Sequence, residues 1–142
     1  MSFASKVKSE ICTKPISQRC CARAELAGII EFGGRIDVQQ IRLTTENPSV
    51  AKRSYSLFKF VYGVTPITYT HKNKTQKSIN MYYTELSGED AVMIKEDLGI
   101  ISNIRISEPV IRKECCKRSY IKGAFLGSGS VSDPEKGYHL EF

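Results

Sequence analysis

The chain has 142 residues, of which 41% are hydrophobic and 25% are charged, and its net charge is +6. This length and composition predict one domain, or one and a half small ones, with a hydrophobic core. No apolar run approaches the ~20 residues of a membrane span, and the N-terminus lacks the apolar stretch of a signal peptide, so we expect a cytoplasmic protein. The positive charge fits a nucleic-acid partner and an ordinary basic protein about equally well.

The periodicity of apolar residues and the capping signals predict an alternation of helices and strand pairs. Asn47 and Pro48 form a strong helix start, and Gly63 and Gly99 are expected helix ends. In chain order, the predicted elements are a helix at 4–13, a glycine-ended helix at 20–32, two strand segments with a tight hairpin or a bulge at 39–40, a helix from 47 to 63, strands at 66–71 and 79–85, a helix from Ser87 (with Asp90) to Gly99, a helix at 113–127 and a strand at 138–142.

Two segments of the chain repeat at an offset of 95 residues. Residues 20–34 read CCARAELAGIIEFGG, and residues 115–129 read CCKRSYIKGAFLGSG, with five identical positions. A matched pair of segments at a fixed offset indicates that one structural unit starts twice. The second unit would be incomplete, and we expect the natural protein to continue beyond Phe142.

Each repeated helix carries small residues four positions apart, on one face. Such a face lets two helices approach more closely than the usual ~8–10 Å between axes. Glycine inside a helix costs ~1 kcal/mol relative to alanine, so a close contact is needed to offset that cost. The residues predicted to form this helix–helix interface are Cys20, Ala24, Gly28, Cys115, Ser119, Gly123 and Gly127.

The five cysteines indicate free thiols in a reducing compartment, because their number is odd and no secretory signal precedes them. Four of them form two adjacent pairs, at 20–21 and 115–116. Structural zinc sites usually space their cysteines two to four residues apart. We therefore predict no metal site and no cofactor, and interpret the cysteines as small buried helix residues.

The first repeat contains Leu26-Ala-Gly-Ile-Ile-Glu-Phe-Gly-Gly34, which resembles the LAGLIDADG motif of homing endonucleases, and 121–129 is a weaker copy. The resemblance implies an α+β fold in which two motif helices pack at a pseudo-twofold axis. Each helix would begin an αββαββα unit whose strands form a saddle on DNA. The resemblance thus accounts for the repeat, the small helix faces and the order of elements.

The whole chain is most similar to the WhiA family of bacterial regulators. The signs are the opening Ser-Phe-Ala-Ser-Lys, the paired cysteines before each motif, and the stretch Gly129-Ser-Val-Ser-Asp-Pro-Glu-Lys-Gly-Tyr-His-Leu-Glu141. The resemblance implies a first LAGLIDADG-like unit with an N-terminal helix at 1–112 and the start of a second unit at 113–142. It also implies a missing C-terminal helix-turn-helix domain and a role in sporulation, cell division and chromosome segregation.

The resemblance also implies where a nuclease of this family would hold its metal. The eighth motif letter supplies a carboxylate from each helix, and the two carboxylates bind Mg²⁺. Gly33 and Ser128 stand at these positions, so we predict no catalytic residues. Glu31 lies two residues earlier, which turns its side chain by about 200° on a helix. We interpret Glu31 as a cap or surface residue.

A polar loop between the second pair of strands is the first candidate for DNA contact. Lysines there would neutralise phosphates, and amides would reach base edges; a solvated loop without a ligand is equally compatible. The candidate residues of this loop are Lys72, Asn73, Lys74, Gln76 and Lys77.

Basic residues around the motif helices form a second cluster, in which Arg23 and Arg118 share one position of the repeat. They are candidates for DNA contact beside the axis, although local ion pairs to Glu25 and Glu114 are the more ordinary interpretation. The other members of the cluster are Arg19, Arg112, Lys113, Lys117 and Lys122. A third group of lysines and arginines, which includes Arg53, is expected to face away from DNA.

Strand residues complete the candidate surface. By the geometry that the resemblance implies, Asp37, Gln39, Arg42 and Thr44 would line the saddle, and Arg42 is the main candidate among them. The expected partners are therefore double-stranded DNA and other transcription factors, without a membrane. Two alternatives stay open from sequence: a residual metal-dependent nuclease, and a protein-interaction domain without DNA contact.

Overall fold

The computed structural model describes residues 2–73, 79–100, 108–137 and 139–142. Helices and strand pairs alternate along the chain, as the sequence predicts. The helices are α1 (Phe3–Ile11), α2 (Arg19–Gly33), α3 (Pro48–Tyr62), α4 (Glu89–Leu98) and α5 (Glu114–Ser128), with short 3₁₀ turns at Glu108–Ile111 and Pro134–Lys136. The strands are β1 (Gly34–Asp37), β2 (Gln40–Thr45), β3 (Ile67–Asn73), β4 (Ile79–Ser87), β5 (Ser130–Val131) and β6 (Leu140–Glu141).

The start and end of α3 follow from local chemistry. The Asn47 side-chain oxygen accepts hydrogen bonds from the amides of Ser49 (2.8 Å) and Val50 (3.3 Å), which satisfies two free donors of the first turn. Gly63 ends the helix in the left-handed region, at φ 67°. The predicted bounds of this helix are confirmed. The Asn47 amide also donates to the carbonyl of Ser5 (2.9 Å), so the same cap holds α1 in place.

The predicted start of α4 at Ser87 is wrong. Ser87 is the last residue of β4 and pairs with Gln40 of β2. The strand continues this far because Leu86 places its side chain in the core, where it is 6% exposed. Gly88, at φ 70°, then turns the chain into the helix and acts as its N-cap without a side-chain hydrogen bond. The spacing of Ser87 and Asp90 matches a helix-capping pattern, but Ser87 is held in the strand ladder and does not cap the helix.

The main sheet has four antiparallel strands in the order β1-β2-β4-β3. Val38 and Gln39 form the tight turn between β1 and β2, since Asp37 pairs with Gln40. Gln39 therefore lies in the turn and not on a strand face, which corrects its predicted place. Strands β5 and β6 form a separate pair.

Alternate strand residues give the sheet two different faces. One face carries Ile41 and Leu43, which belong to the same core as Leu57 and Phe58 of α3. Helices α2 and α3 contact the strands of this sheet, and α3 contacts β4 and β2. The other face carries Arg42, Tyr69, Tyr83 and Glu85. We call it the open sheet face. The domain division at 112/113 stays a prediction.

A buried ion pair connects α2 to α3. Arg53 donates from Nε to Glu25 Oε2 (2.5 Å) and from an η nitrogen to Oε1 (3.0 Å), and both side chains are at most 4% exposed. Arg53 also donates to the carbonyl of Lys14 (2.6 Å), and Lys122 of α5 reaches Glu25 Oε1 at 3.0 Å. The hydrogen bond to Glu25 raises the pKa of Arg53. Arg53, expected on an outward face, is therefore part of the core.

Replacing Arg53 with methionine should destabilise the chain strongly, because the Glu25 carboxylate would stay buried with Lys122 as its main cationic partner. We expect a loss of ~3–5 kcal/mol, the usual result of breaking one side of a buried ion pair. Denaturant unfolding followed by circular dichroism measures this loss. Lys52→Met, at the exposed neighbouring position, is the matched control. Equal stability of the two variants would show that the ion pair is not formed in solution.

Candidate nucleic-acid interface

The motif helices α2 and α5 cross with their backbones in contact. A Cβ atom added at Gly28 would lie 2.7 Å from the amide nitrogen of Ala124, and one added at Gly123 would lie 2.8 Å from the carbonyl carbon of Glu25. Neither backbone position can move away as a side chain could. Ala24 is fully buried and Ser119 is 9% exposed. The glycines therefore allow the backbones of α2 and α5 to approach directly.

The C-terminal ends of the two helices lie together. A Cβ atom at Gly33 would be 2.8 Å from the Cα of Gly127. Gly33 and Ser128 are the last residues of α2 and α5. Divalent cations of the Mg²⁺ type need carboxylate or similar oxygen ligands, and these two positions provide no carboxylate.

Glu31 lies between the two helices rather than at a free surface, which corrects its interpretation as a cap or surface residue. Its carboxylate accepts a hydrogen bond from the Tyr120 hydroxyl, and it is half-buried. Burial, followed by this contact, raises the pKa of Tyr120. The ring of Phe32 meets the Tyr120 ring edge-on, with centroids 6.3 Å apart. Glu31 thus forms part of the helix contact.

The N-terminal ends of the motif helices carry the cysteine pairs. The Sγ atoms of Cys20, Cys21, Cys115 and Cys116 all lie within 4.8 Å of one another. In the part of the chain that the structure describes, this is the one group of three or more histidine, cysteine or acidic side chains that converges. The sequence prediction considered each pair by itself, whereas the fold brings both pairs to one place.

The open sheet face carries a linked set of polar and aromatic side chains. Arg42 of β2 donates to Glu85 of β4 at 2.6 Å, and the Tyr69 hydroxyl of β3 donates to the same oxygen at 2.6 Å. The rings of Tyr69 and Tyr83 stack with centroids 4.8 Å apart. The hydrogen bond from Tyr69, together with Arg42, lowers the pKa of Glu85. The carboxylate is therefore charged at neutral pH and partly neutralises Arg42.

The described strand residues of this face are balanced in charge. Arg35 pairs across the ladder with Arg42, which pairs in turn with Glu85, and Asp37 lies two residues from Arg35 on the same face. Two cations thus stand beside two carboxylates. These four charges together therefore give this part of the face little net attraction for a polyanion.

The candidate loop begins at this edge. His71 and Lys72 are exposed at the end of β3. The backbone of Asn73 closes the strand, opposite Ile79. The side chain of Asn73, and all of Lys74, Gln76 and Lys77, lie outside the described residues. Their contact with DNA stays a prediction.

The two matched arginines of the motif helices have different surroundings. Arg23 donates to the carboxylate of Asp97 (2.8 Å) and to its carbonyl (2.7 Å), and the Tyr62 hydroxyl donates to the same carboxylate (2.6 Å). Burial alone would raise the pKa of Asp97, but these hydrogen bonds lower it overall. Arg118 is exposed. Arg23 therefore joins α2 to α4, and DNA contact by either arginine stays a prediction.

Two of the remaining basic residues of this cluster form local ion pairs to Glu114 and Glu25. Lys117 reaches Glu114 at 3.5 Å, and Lys122 reaches the buried Glu25. Arg19 donates to the carbonyl of Val61 at 3.2 Å. Arg112 and Lys113 are exposed.

Some of these features have no clear signal in the sequence. Glu25 and Arg53 are 28 positions apart, and no local pattern indicates that they pair. Tyr69 reaches Glu85 diagonally across the ladder, because the strand register pairs Tyr69 with Tyr83 and Ile67 with Glu85. The inward-facing positions of α2 could have singled out Glu25, since it falls between buried Ala24 and Leu26.

Comparison with protein families identifies the chain. The model of the WhiA N-terminal LAGLIDADG-like domain matches residues 19–101, and that of the WhiA LAGLIDADG-like domain matches residues 117–142. The chain belongs to the WhiA family. The resemblance seen in the sequence is thereby confirmed.

Curated WhiA relatives match along nearly the whole chain. The probable cell division protein WhiA of Alkaliphilus metalliredigens is 39% identical in an alignment of 158 residues. The alignment covers 100% of this chain and 49% of the relative. The protein of the same description from Bacillus cytotoxicus is 40% identical, covering 99% and 47%. This WhiA-family chain thus spans about half the length of these relatives.

Solved WhiA structures share the fold. The crystal structure of the N-terminal LAGLIDADG domain of WhiA aligns with a TM-score of 0.73 at 22% identity, over 98% of this chain and 64% of that one. Full-length WhiA from Thermotoga maritima aligns with a TM-score of 0.70 at 22% identity, over 99% and 44%. The predicted α+β fold is confirmed. Among the described residues, no helix is long and apolar enough to cross a membrane.

Adding one methyl group at the helix crossing should weaken the fold. Gly28→Ala and Gly123→Ala each push a Cβ atom into the opposing backbone, and we expect a loss of ~1–3 kcal/mol, the usual cost of overpacking. Denaturant unfolding provides the measurement. Lys117→Ala, at an exposed position of α5, is the control and should change stability by no more than ~0.5 kcal/mol. Glycine variants as stable as the parent chain would contradict the close crossing.

Proposed function

We propose that this chain is a non-catalytic DNA-binding domain of a WhiA-type regulator of transcription and cell division. The observation that carries the proposal is the combination of the two motif helices with Gly33 and Ser128 at their ends. The scaffold of a DNA-cutting family is kept, while the two positions expected to hold Mg²⁺ have no carboxylate. The curated relatives are described as probable cell division proteins, which supports the regulatory role.

The absence of cleavage follows from the chemistry of phosphodiester hydrolysis. A metal ion must polarise the phosphate and activate water, and carboxylates must hold it close to the scissile bond. Glu31 is the nearest carboxylate in sequence, and it is engaged by the Tyr120 hydroxyl. No equivalent partner exists on α5, where Leu126 occupies the matching position of the repeat. Two converging acids therefore cannot come from these positions.

DNA would lie across the open sheet face, with the candidate loop against its phosphates. Lys72 is exposed at the edge of the sheet, and Lys74 and Lys77 follow within five residues. Arg42 is available for a base or phosphate only in competition with Glu85. This arrangement predicts binding that is weak in sequence preference and strongly dependent on salt, since most of the attraction is to phosphate.

The remainder of the whole protein would supply further affinity. The relatives are about twice as long as this chain, and we propose that the whole protein includes the helix-turn-helix domain expected from the family resemblance. Regulation of sporulation and chromosome segregation, and contact with other transcription factors, are properties that we propose for that whole protein. The domain described here would help to position the whole protein on DNA.

A protein-interaction role is the second candidate. The balance of Arg35 and Arg42 against Asp37 and Glu85 favours it, because a neutral face with the exposed Tyr69 ring suits a protein partner better than a polyanion. Titration of a labelled duplex across salt concentrations separates the two functions. No measurable affinity at low ionic strength would favour the protein partner.

Replacing Lys72, Lys74 and Lys77 by alanine should weaken duplex binding and flatten its salt dependence. Each DNA phosphate that a lysine no longer neutralises reduces the slope of log affinity against log salt by about 0.9, so we expect a reduction of up to about three. Fluorescence titration at several salt concentrations measures both quantities.

The matched control removes three exposed lysines from α1 and α3, at Lys6, Lys52 and Lys59, behind the sheet. The loop would be excluded if both triple variants changed the slope equally. In the same experiments, a supercoiled plasmid incubated with the parent chain and Mg²⁺ or Mn²⁺ should stay intact. Cleavage that follows the protein through purification would refute the non-catalytic assignment.

Removing the negative charge of Glu85 should have the opposite effect. Glu85→Gln frees Arg42 from its 2.6 Å ion pair, and we expect tighter duplex binding with a salt slope steeper by up to about one. The control is Glu96→Gln, which removes the same charge from an exposed position of α4. An affinity gain in the control as large as that in Glu85→Gln would indicate a general charge effect rather than a contact by Arg42.

A further inference from the structure

The four clustered thiols lie at nearly the spacing of a metal-binding set. Zinc binds thiolate sulfur at ~2.3 Å, so four sulfurs around one ion are ~3.8 Å apart at the corners of a tetrahedron. The Sγ atoms of Cys20 and Cys21 are 4.0 Å apart, and every pair in the cluster is within 4.8 Å. Side-chain rotations that move each sulfur by less than about 1 Å would close the set.

The N-terminal ends of two helices meet at the cluster. Cys20 and Cys21 are the second and third residues of α2, and Cys115 and Cys116 hold the same positions in α5. The positive ends of both helix dipoles therefore point at the sulfurs, which stabilises negative charge. This combination resembles a site prepared for a cation.

The donor set also selects the kind of cation. Four soft sulfur ligands without a carboxylate suit a thiophilic ion of tetrahedral preference, whereas Mg²⁺ and Ca²⁺ need oxygen ligands. Disulfides between these cysteines would need an oxidant, whereas all four are free thiols in the structure. Four equivalent donors around one point fit zinc better.

We propose that Cys20, Cys21, Cys115 and Cys116 bind one zinc ion, which joins the N-terminal ends of the motif helices as a closed structural site. The ion is coordinated by two residues from each half of the repeat. It lies at the end of the helix pair opposite Gly33 and Ser128, so it takes no part in DNA hydrolysis. Four thiolates and one Zn²⁺ leave a charge of −2 that the helix ends and Lys113 offset. This site is independent of DNA binding.

Metal titration of the reduced chain tests the proposal. After treatment with a chelator and a reductant, the chain should bind one Zn²⁺ per molecule in competition with a chromophoric chelator. Co²⁺ should give the sulfur-to-cobalt charge-transfer absorption and the visible bands of a tetrahedral tetrathiolate. Zinc should raise the melting temperature, because it binds the folded chain. It should also protect four of the five free cysteines from a thiol reagent.

Two variants make the assignment specific. Cys20→Ser combined with Cys116→Ser removes one ligand from each helix and should abolish stoichiometric binding and the cobalt spectrum. Cys12→Ser is the control, since Cys12 follows α1 and lies outside the cluster, and it should bind zinc like the parent chain. Circular dichroism checks that both variants fold. If the double variant is unfolded, Cys21→Ser should still shift the cobalt bands as one sulfur is removed.

Three results would overturn the proposal. The first is less than one zinc per reduced, folded chain at excess metal. The second is a cobalt spectrum without sulfur charge transfer. The third is zinc protection of Cys12 instead of the four clustered thiols. In each case the cluster would be a set of packed, metal-free cysteines.

Discussion

The direct contact between the backbones of α2 and α5 is the constraint on which the rest of the structure depends. Gly28 and Gly123 have no side chain, and each lies where a Cβ atom would overlap the opposing helix. This close approach fixes the distances between side chains of the two helices. It holds the helix C-termini together at Gly33 and Gly127, sets the Tyr120 hydroxyl on Glu31, and brings four cysteine sulfurs within 4.8 Å at the other end.

The two ends of this helix pair therefore differ in chemistry. At the C-terminal end, the positions of the expected metal ligands hold a glycine and a serine, next to an aromatic group formed by Phe32 and Tyr120. At the N-terminal end, sulfur ligands converge under two helix dipoles. The helix contact itself does not depend on acids at its C-terminal end, because backbone atoms at Gly28, Gly33, Gly123 and Gly127 form it.

Much of the fold could be predicted because its signals are local or repeated. Asn47 and Gly63 mark the ends of α3 by their own conformational preferences, and the glycines recur at a fixed offset. The misplaced start of α4 shows the limit: Ser87 has a helix-cap spacing, but Leu86 continues the strand into the core. Contacts between distant residues, such as Glu25 with Arg53, depend on tertiary geometry, and so does the meeting of the two cysteine pairs. No sequence pattern of adjacent residues reports them.

The hydrogen bond between Tyr120 and Glu31 limits which helices can pair. The residue of α2 that matches Tyr120 in the repeat is Glu25, and the residue that matches Lys122 is Ala27. If two copies of α2 from different molecules associated in the same geometry, Glu31 of one would meet Glu25 of the other. Two carboxylates would then face each other in a partly buried space, where Arg53 still pairs with Glu25 but Ala27 replaces the second cation, Lys122. The fold thus selects against self-association of its first half and favours intramolecular assembly of unlike halves.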